Sequence, residues 1–431
     1  IMNYLIVKSI IGRVLYFEAA FMLLPCITAL IYQEYSGWSF VFTALLCILI
    51  GAVLTRKRPE NTVFYVKEGF VTVALSWIVL SLMGGLSFLF SGVISNPIDA
   101  LFETVSGFTT TGASILKDVE VLPRCMLMWR SFTHWIGGMG VLVFLLSFMQ
   151  MHGGSHMNLM KAESPGPSVS KLTPTVQSTA KILYIIYIVV TVFMILFGVN
   201  FNAYFLIWCR KFTQAFRMEE VRCYFGIIFA SIAVITLNIA HLYSGVGEAL
   251  RHAAFQVGSI ITTTGYATTD FNLWPQASRT ILVLLMFIGA CAGSTGGGIK
   301  VSRFIILIKT IKKELHTLLH PRSIRKLKLD GHTLEHEVVR STNVFLIAYV
   351  LVFAFSILLI SFDGLDMVTN FTGVAAALNN IGPGLELVGP TQNFSIFSNG
   401  AKLVLTFDML AGRLELFPML LLFVRETWKR Y

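Results

Sequence analysis

Long apolar runs recur along the whole chain, and each is close to the length of a membrane-crossing helix. They lie near 11–32, 39–54, 69–94, 126–150, 181–209, 223–243, 280–308, 341–361 and 401–424. Roughly 20 apolar residues in a helix span the hydrocarbon core of a bilayer. A helix also satisfies its own backbone hydrogen bonds in lipid, where water is absent. The runs therefore predict an all-α polytopic membrane protein.

The composition excludes the usual classes of water-soluble protein. Hydrophobic residues make up 55% of the chain and charged residues only 13%, against about 25% charged residues in ordinary soluble domains. A net charge of +10 would suggest nucleic acid in a soluble protein. Here the basic residues cluster in gaps between apolar runs, where they orient membrane helices. We therefore expect the chain to lie in a lipid bilayer and not to bind nucleic acid.

The basic residues also predict the topology. Lys and Arg concentrate in the gaps around 56–67, 210–222 and 300–340, and are absent from 33–38, 95–100, 362–370 and 383–400. The positive-inside rule places the first group of gaps in the cytoplasm and the second group outside. The chain is thus expected to be a multi-pass protein with both termini in the cytoplasm.

Three outer gaps contain a short amphiphilic stretch that is too short to cross a bilayer. The stretches 97–108, 246–261 and 366–378 end in the loops TTTGAS, TTTGY and NNIGPG. Phe102 and Phe255 each lie seven residues before the first threonine of their loops, and Ser106 and Ser259 each lie three before it. Each stretch is preceded and followed by a full apolar run. The repeated unit is therefore predicted to be helix, pore helix, filter loop and helix.

Such a repeat suits an ion pathway. Irregular backbone at membrane depth is tolerated only where it is buried in protein or lines a water-filled cavity. Glycine allows a turn that directs carbonyl groups inward, and rings of carbonyls can replace the hydration shell of a cation. An ordinary turn explains one TTTG sequence, but matched copies favour repeated units around a central cation pore.

These residues resemble the Trk/Ktr/HKT potassium-transporter superfamily, and more narrowly the TrkH-type membrane subunits of bacterial Trk systems. The motifs that carry the resemblance are FETVSGFTTTGAS (102–114), HWIGGMGVLVF (134–144), FQVGSIITTTGYATTDFNLWP (255–275), GACAGSTGGGIKVSRF (289–304), NNIGPG (379–384) and FDMLAGRLELFP (407–418). The similarity extends over essentially the whole chain. The helices at about 11–54 resemble the extra N-terminal pair of the Trk branch.

The resemblance implies potassium uptake through a channel-like filter of backbone carbonyls, with no covalent chemistry and no covalent cofactor. The substrate would be K⁺, with Na⁺ and Rb⁺ as further candidates, bound only at the filter. The implied filter residues are Thr110, Thr111, Gly112, Thr263, Thr264, Gly265, Asn380, Ile381 and Gly382. A Na⁺-dependent Ktr-like system and an ion-coupled K⁺ symporter stay open as alternatives.

A glycine-rich run interrupts the apolar segment 280–308. Each interior glycine costs a helix about 1 kcal/mol relative to alanine, so the run predicts a break, which is either a gate or a structural kink. The resemblance implies a gate built from Gly289, Gly293, Ser294, Thr295, Gly296, Gly297 and Gly298.

Arg413 lies near the middle of the last apolar run. A charge at that depth costs several kcal/mol unless it faces water or a partner. The resemblance implies a pore-facing arginine that impedes cations and belongs to the gate. The alternative is a structural ion pair with Glu415 or Asp408.

The resemblance also implies partners and a location. It suggests a homodimer in the bacterial plasma (inner) membrane and a cytoplasmic nucleotide-binding regulatory subunit of the TrkA type. The basic run 309–328 is a candidate contact for that subunit. The same run equally fits a solvated face near anionic lipid.

The second repeat departs from the family pattern. We divide the chain into an N-terminal pair (1–66) and four repeats (67–155, 156–212, 213–325 and 326–431). The run 181–209 in the second repeat contains no pore helix and no glycine loop, and one crossing there would join two basic loops. We expect the working protein to carry a second filter that this sequence lacks. If it does not, a non-transporting membrane scaffold becomes the alternative.

Two short motifs match other chemistries. The residues HTLEH at 332–336 fit the H-x-x-E-H pattern of zinc peptidases, but they lie in a charged linker. The residues GSTGGGIK at 293–300 resemble a phosphate loop, but an isoleucine precedes the lysine and no Ser or Thr follows it. We therefore expect neither peptidase activity nor nucleotide binding.

Overall fold

The computed structural model describes residues 3–57, 66–139, 194–243, 245–294, 296–323 and 326–428. Helices dominate this part of the chain. A two-stranded antiparallel hairpin, β1 (Lys328–Leu329) and β2 (His332–Thr333), is the only paired sheet among these residues.

The helices are numbered here in chain order among the described residues. They are α1 (Tyr4–Phe21), α2 (Leu23–Tyr32), α3 (Gly37–Thr55), α4 (Val66–Phe90), α5 (Pro97–Phe108), α6 (Arg124–Met139), α7 (Met194–Phe197), α8 (Phe201–Trp208), α9 (Phe212–Arg217), α10 (Glu219–Ile239), α11 (Val246–Ile261), α12 (Gln276–Phe287), α13 (Val301–Leu319), α14 (His336–Ile360), α15 (Met367–Leu378), α16 (Asn399–Arg413), α17 (Phe417–Leu421) and α18 (Arg425–Trp428).

Five helical segments of the described chain are long and apolar enough to cross a membrane. They are Tyr4–Tyr32, Gly37–Thr55, Val66–Phe90, Glu219–Leu242 and His336–Asp363. They coincide with five of the apolar runs in the sequence, and the predicted all-α polytopic fold is confirmed.

The N-terminal pair packs through small residues. A Cβ atom built on Gly51 would lie 2.9 Å from the carbonyl oxygen of Gly12, so α1 and α3 approach backbone to backbone. The first segment bends where α1 ends at Phe21. Pro25 lies four residues later, and its ring clashes with the carbonyl group of residue 21 in a straight helix.

The three short stretches form helices whose bounds lie within one residue of those predicted. They are called pore helices here, and the loops after them filter loops, after their predicted roles. Helices α5 and α11 begin and end where the sequence places them, and α15 begins one residue after Asp366. The side chain of Asn96 caps α5 by accepting from the backbone N–H of Ile98, and Asp366 caps α15 through Thr369. Each pore helix ends directly before its filter loop.

Two apolar runs are less continuous than the sequence indicates. The run 401–424 is not one helix, because α16 ends at Arg413 and left-handed residues follow at Glu415 (φ 51°) and Leu416 (φ 66°). Pro418 reinforces the break, since it lacks the N–H that a continuing helix needs. Arg413 is the last residue of α16, and the run breaks directly after it.

The described part of the run 181–209 also contains a break. Helix α7 ends at Phe197 and α8 begins at Phe201. Gly198 makes a close contact there, since a Cβ atom on it would lie 2.0 Å from the hydroxyl oxygen of Tyr224. The earlier part of this run, and residues 140–150 of the run 126–150, lie outside the described residues.

Candidate cation pathway

The three loops that follow the pore helices share one backbone conformation. In each loop, the glycine and the residue two positions before it have positive φ. The φ values are 58° and 80° at Thr110 and Gly112, 56° and 77° at Thr263 and Gly265, and 55° and 103° at Asn380 and Gly382. A non-glycine residue in this region is uncommon, and its recurrence at one position in three loops marks a functional constraint.

Equivalent hydrogen bonds attach each loop to its own pore helix. The backbone N–H before the glycine donates to the carbonyl oxygen five residues earlier. These bonds join Thr111 to Ser106 at 2.9 Å, Thr264 to Ser259 at 2.8 Å and Ile381 to Ala376 at 2.8 Å. The NNIG sequence therefore adopts the conformation of TTTG, as its position in the chain predicts.

Side chains explain how asparagine replaces threonine in the third loop. Thr109 donates through Oγ1 to the carbonyl oxygen of Val105 at 2.7 Å, and Asn379 donates through Nδ2 to that of Ala375 at 2.8 Å. The amide of Asn380 also donates to Thr111 Oγ1 at 3.0 Å. The substitution thus keeps the side-chain bond to the pore helix and adds one between loops.

The loops contact one another in a fixed order. A Cβ atom built on Gly265 would lie 2.0 Å from the carbonyl oxygen of Ile381, and one on Gly382 would lie 2.6 Å from that of Thr111. The loop of repeat 3 therefore lies beside that of repeat 4, which lies beside that of repeat 1. Among the described residues, none comes within 4 Å of the same position on Gly112.

A buried carboxylate that the sequence analysis did not single out supports the first loop. Glu103 pairs with Arg130 through Oε1 and Nε at 2.7 Å. Its Oε2 accepts from the backbone N–H of Ile115 at 3.0 Å and from the hydroxyl of Ser114 at 3.0 Å. The signal in the sequence was an acidic residue in the second half of a short apolar helix, which at that depth needs a partner.

The predicted glycine residues of the gate and Ser294 lie in a loop between α12 and α13, named here the gate loop (288–300) after its predicted role. Its ends are joined by three backbone bonds: Gly289 N–H to Ile299 at 2.8 Å, Ile299 N–H to Phe287 at 3.2 Å, and Val301 N–H to Ala290 at 3.2 Å. The predicted interruption of this apolar segment is confirmed. These bonds satisfy backbone groups at the neck, which irregular structure at membrane depth requires.

One side of the gate loop contacts the filter loops. The backbone N–H of Gly297 donates to Thr263 Oγ1 at 2.8 Å, and a Cβ atom on Gly297 would lie 2.3 Å from the carbonyl oxygen of Asn379. A Cβ atom on Gly296 would lie 3.4 Å from the carbonyl oxygen of Thr262. A larger residue at Gly297 would therefore push away the backbone of Asn379, directly before the loop of repeat 4.

The other side of the gate loop faces the second repeat. The carbonyl oxygen of Gly293 accepts from the backbone N–H of Phe201 at 3.4 Å. Ser294 caps its own turn by donating to the carbonyl oxygen of Cys291 at 2.6 Å. Gly293 and Ser294 thus lie away from the filter, and Thr295 lies outside the described residues.

Arg413 lies at the junction between α16 and the first repeat. Its guanidinium donates to the carbonyl oxygen of Gly137 and lies 5.8 Å from the centre of the Trp77 ring. The carboxylates considered as its partners bind other groups, because Glu415 pairs with Arg303 and Asp408 accepts from Ser356. A pore-facing role for Arg413 stays a prediction.

The zinc-peptidase motif does not form a compact site. His332 lies in β2, and His336 is the first residue of α14. Within the described ranges, no three His, Cys, Asp or Glu side chains are grouped to hold a metal ion.

Comparison with known proteins agrees with this geometry. The family model of the cation transport protein TrkH matches residues 37–238 and 238–430 of the chain. The chain belongs to the TrkH family of cation transport proteins. The resemblance seen in the sequence motifs is therefore confirmed, and the chain is an integral membrane protein.

Two members of the TrkH family and one solved structure match this chain over their full lengths. The Trk system potassium uptake protein TrkH of Escherichia coli K12 is 33% identical, with 99% of this chain and all of the relative covered. The protein of the same name from Halomonas elongata is 30% identical, with both chains fully covered. The crystal structure of the potassium transporter TrkH from Vibrio parahaemolyticus superposes with a TM-score of 0.87 at 30% identity, covering 99% of this chain and all of that one.

Proposed function

We propose that the chain takes up potassium ions through a channel-like filter formed by the loops at 110–112, 263–265 and 380–382. The observation that carries the proposal is the side-by-side arrangement of three loops with the same alternation of positive and negative φ. This alternation turns successive carbonyl groups to one side, where they replace the hydration shell of an ion. The names of the relatives point to K⁺ as that ion.

The proposed gate consists of the gate loop and Arg413. The gate loop contacts Thr263 and Asn379 directly after two pore helices, and Arg413 lies where α16 breaks. A positive charge near the pathway raises the electrostatic barrier for cations, and movement of both elements would lower it. We propose further that the chain works in the bacterial plasma membrane as a homodimer with a TrkA-type regulatory subunit on its cytoplasmic side.

We also propose that the complete pathway contains a fourth filter loop, from repeat 2. One observation supports this. The alignment with the Escherichia coli relative runs over 484 positions, whereas this chain has 431 residues, so the relative has residues that this chain lacks.

Intact mass of the protein purified from its natural source tests the fourth loop. We expect a mass above the 48.0 kDa of the present sequence, by the several kilodaltons that a pore helix and its loop add. Peptide mapping across residues 181–209 would locate the extra residues. A mass of 48.0 kDa would contradict the proposal.

Ion flux into liposomes tests the function itself. Vesicles containing the purified chain should take up K⁺ down its gradient, and an excess of external Na⁺ should compete weakly, because the spacing of filter carbonyls discriminates between the two ions. Vesicles without protein are the control. Flux that requires Na⁺ or a proton gradient would identify a coupled symporter, and an absence of flux would leave a scaffold.

A further inference from the structure

A buried carboxylate at the start of α10 contacts the gate loop. Glu220 is 4% exposed, and its Oε1 accepts from the backbone N–H groups of Ala292 at 2.6 Å and Ser302 at 3.0 Å. Its Oε2 accepts from Asn200 Nδ2 at 3.1 Å. Hydrogen bonds to an ionised acceptor are about twice as strong as those between neutral groups. The carboxylate is therefore held firmly at this position.

The two backbone donors lie on opposite sides of the glycine run. Ala292 lies inside the gate loop, directly before Gly293, and Ser302 lies in the first turn of α13, two residues after the loop ends. One carboxylate oxygen thus joins the loop to the start of α13, in addition to the three backbone bonds at the neck. The N-terminus of α13 also favours a negative charge. The loop cannot widen at its neck without losing at least one bond to Glu220.

The neighbouring residue makes an entirely different set of contacts. The carboxylate of Glu219 accepts from the backbone N–H of Asp330 at 3.1 Å and pairs with Lys309. The backbone N–H of Glu219 donates to the Asp330 side chain at 2.6 Å. Glu219 therefore attaches α10 to the cytoplasmic hairpin β1–β2, whereas Glu220 attaches α10 to the gate loop.

We propose that Glu220 is a positioning residue for the gate loop. It holds the loop in place by accepting hydrogen bonds from Ala292 within the loop and from Ser302 at the start of α13. The proposal deepens the proposed function, since it rests on the gate loop being the gate. Glutamine at this position keeps the shape and one acceptor but loses the charge, so both backbone bonds weaken. Loosening of the loop, rather than unfolding of the protein, is the expected consequence.

The test compares Glu220→Gln with the matched control Glu219→Gln in the full chain reconstituted into liposomes. Cys291 in the gate loop and Cys47 in α3 are both fully buried, so their modification by N-ethylmaleimide reports local opening at two separate places. Mass spectrometry of the labelled peptides gives both rates. Glu220→Gln should raise the Cys291 rate about tenfold, because both backbone bonds to the side chain weaken, and leave the Cys47 rate unchanged. Glu219→Gln should change neither rate.

K⁺ flux and the variant Asn200→Ala test the proposal further. K⁺ flux should rise severalfold in Glu220→Gln, and Asn200→Ala, which retains the carboxylate, should change the Cys291 rate in the same direction by a smaller factor. A Cys291 rate within twofold of wild type, or an equal rise at Cys47, would overturn the proposal. If Glu220→Gln does not fold, an unchanged Cys291 rate in Asn200→Ala overturns it. An absence of K⁺ flux in the wild-type protein would refute the proposed function. The labelling rates would still test whether Glu220 holds the gate loop.

Discussion

Alanine in place of Gly265 should abolish discrimination between K⁺ and Na⁺. The added Cβ atom would lie 2.0 Å from the carbonyl oxygen of Ile381, whereas real contacts of this kind essentially never fall below 3.0 Å. One of the two filter loops must therefore move by about 1 Å, and a binding site tolerates displacements of only about 0.5 Å. The positive φ of 77° adds about 1–2 kcal/mol of strain for an alanine.

Gly112→Ala is the matched control. Gly112 has nearly the same φ, 80°, but no described neighbour stands within 4 Å of its Cβ position. The backbone strain should therefore weaken its K⁺ selectivity, but less than the described clash weakens that of Gly265→Ala. Gly382→Ala, at 2.6 Å from the carbonyl oxygen of Thr111, should be intermediate. The measurement is the ratio of K⁺ to Na⁺ flux in liposomes.

The order of the three variants carries the information. Equal selectivity loss in all three would mean that strain alone matters and that contacts between loops do not. Unchanged selectivity in Gly265→Ala would remove this loop from the filter.

The pore helices were predictable because their signals are local. Asn96 and Asp366 cap helices that begin with the next residue, and the glycine of each loop fixes where its left-handed turn falls. Apolar length alone identified the spanning segments. The break in the last run was missed because its main cause, the left-handed pair Glu415 and Leu416, uses residue types that normally continue a helix.

The contacts between repeats were not predictable, because they join residues far apart in sequence. Glu103, Glu220 and Glu415 each stand in or beside an apolar segment, so the sequence indicates that each needs a partner. It cannot indicate which one. The partners are Arg130 on the next helix, backbone groups of the gate loop, and Arg303 on α13. Only the packed fold brings these groups together.

The ion pair between Arg303 and Glu415 leads to the second large prediction. The side chains are 10% and 8% exposed, and the guanidinium also lies 3.8 Å from the centre of the Phe345 ring. Removing one partner of a buried pair costs about 3–5 kcal/mol, because the other charge stays buried without compensation. Glu415→Gln should therefore lower the melting temperature of the purified protein by about 5–10 °C.

The double variant Arg303→Met/Glu415→Met should recover much of this loss, because replacing both charges with apolar groups is often neutral or stabilising. Methionine also keeps the packing against Phe345. Glu386→Gln is the matched control, since it removes a carboxylate that pairs with Arg279 at 2.9 Å but is 47% exposed. Such exposed pairs contribute about 0–1 kcal/mol. The samples are heated in detergent, and size-exclusion chromatography measures the folded protein that remains. This gives the melting temperatures of Glu415→Gln, the double variant and Glu386→Gln. Equal small decreases in the melting temperatures of Glu415→Gln and Glu386→Gln would show that water reaches the pair of Arg303 and Glu415.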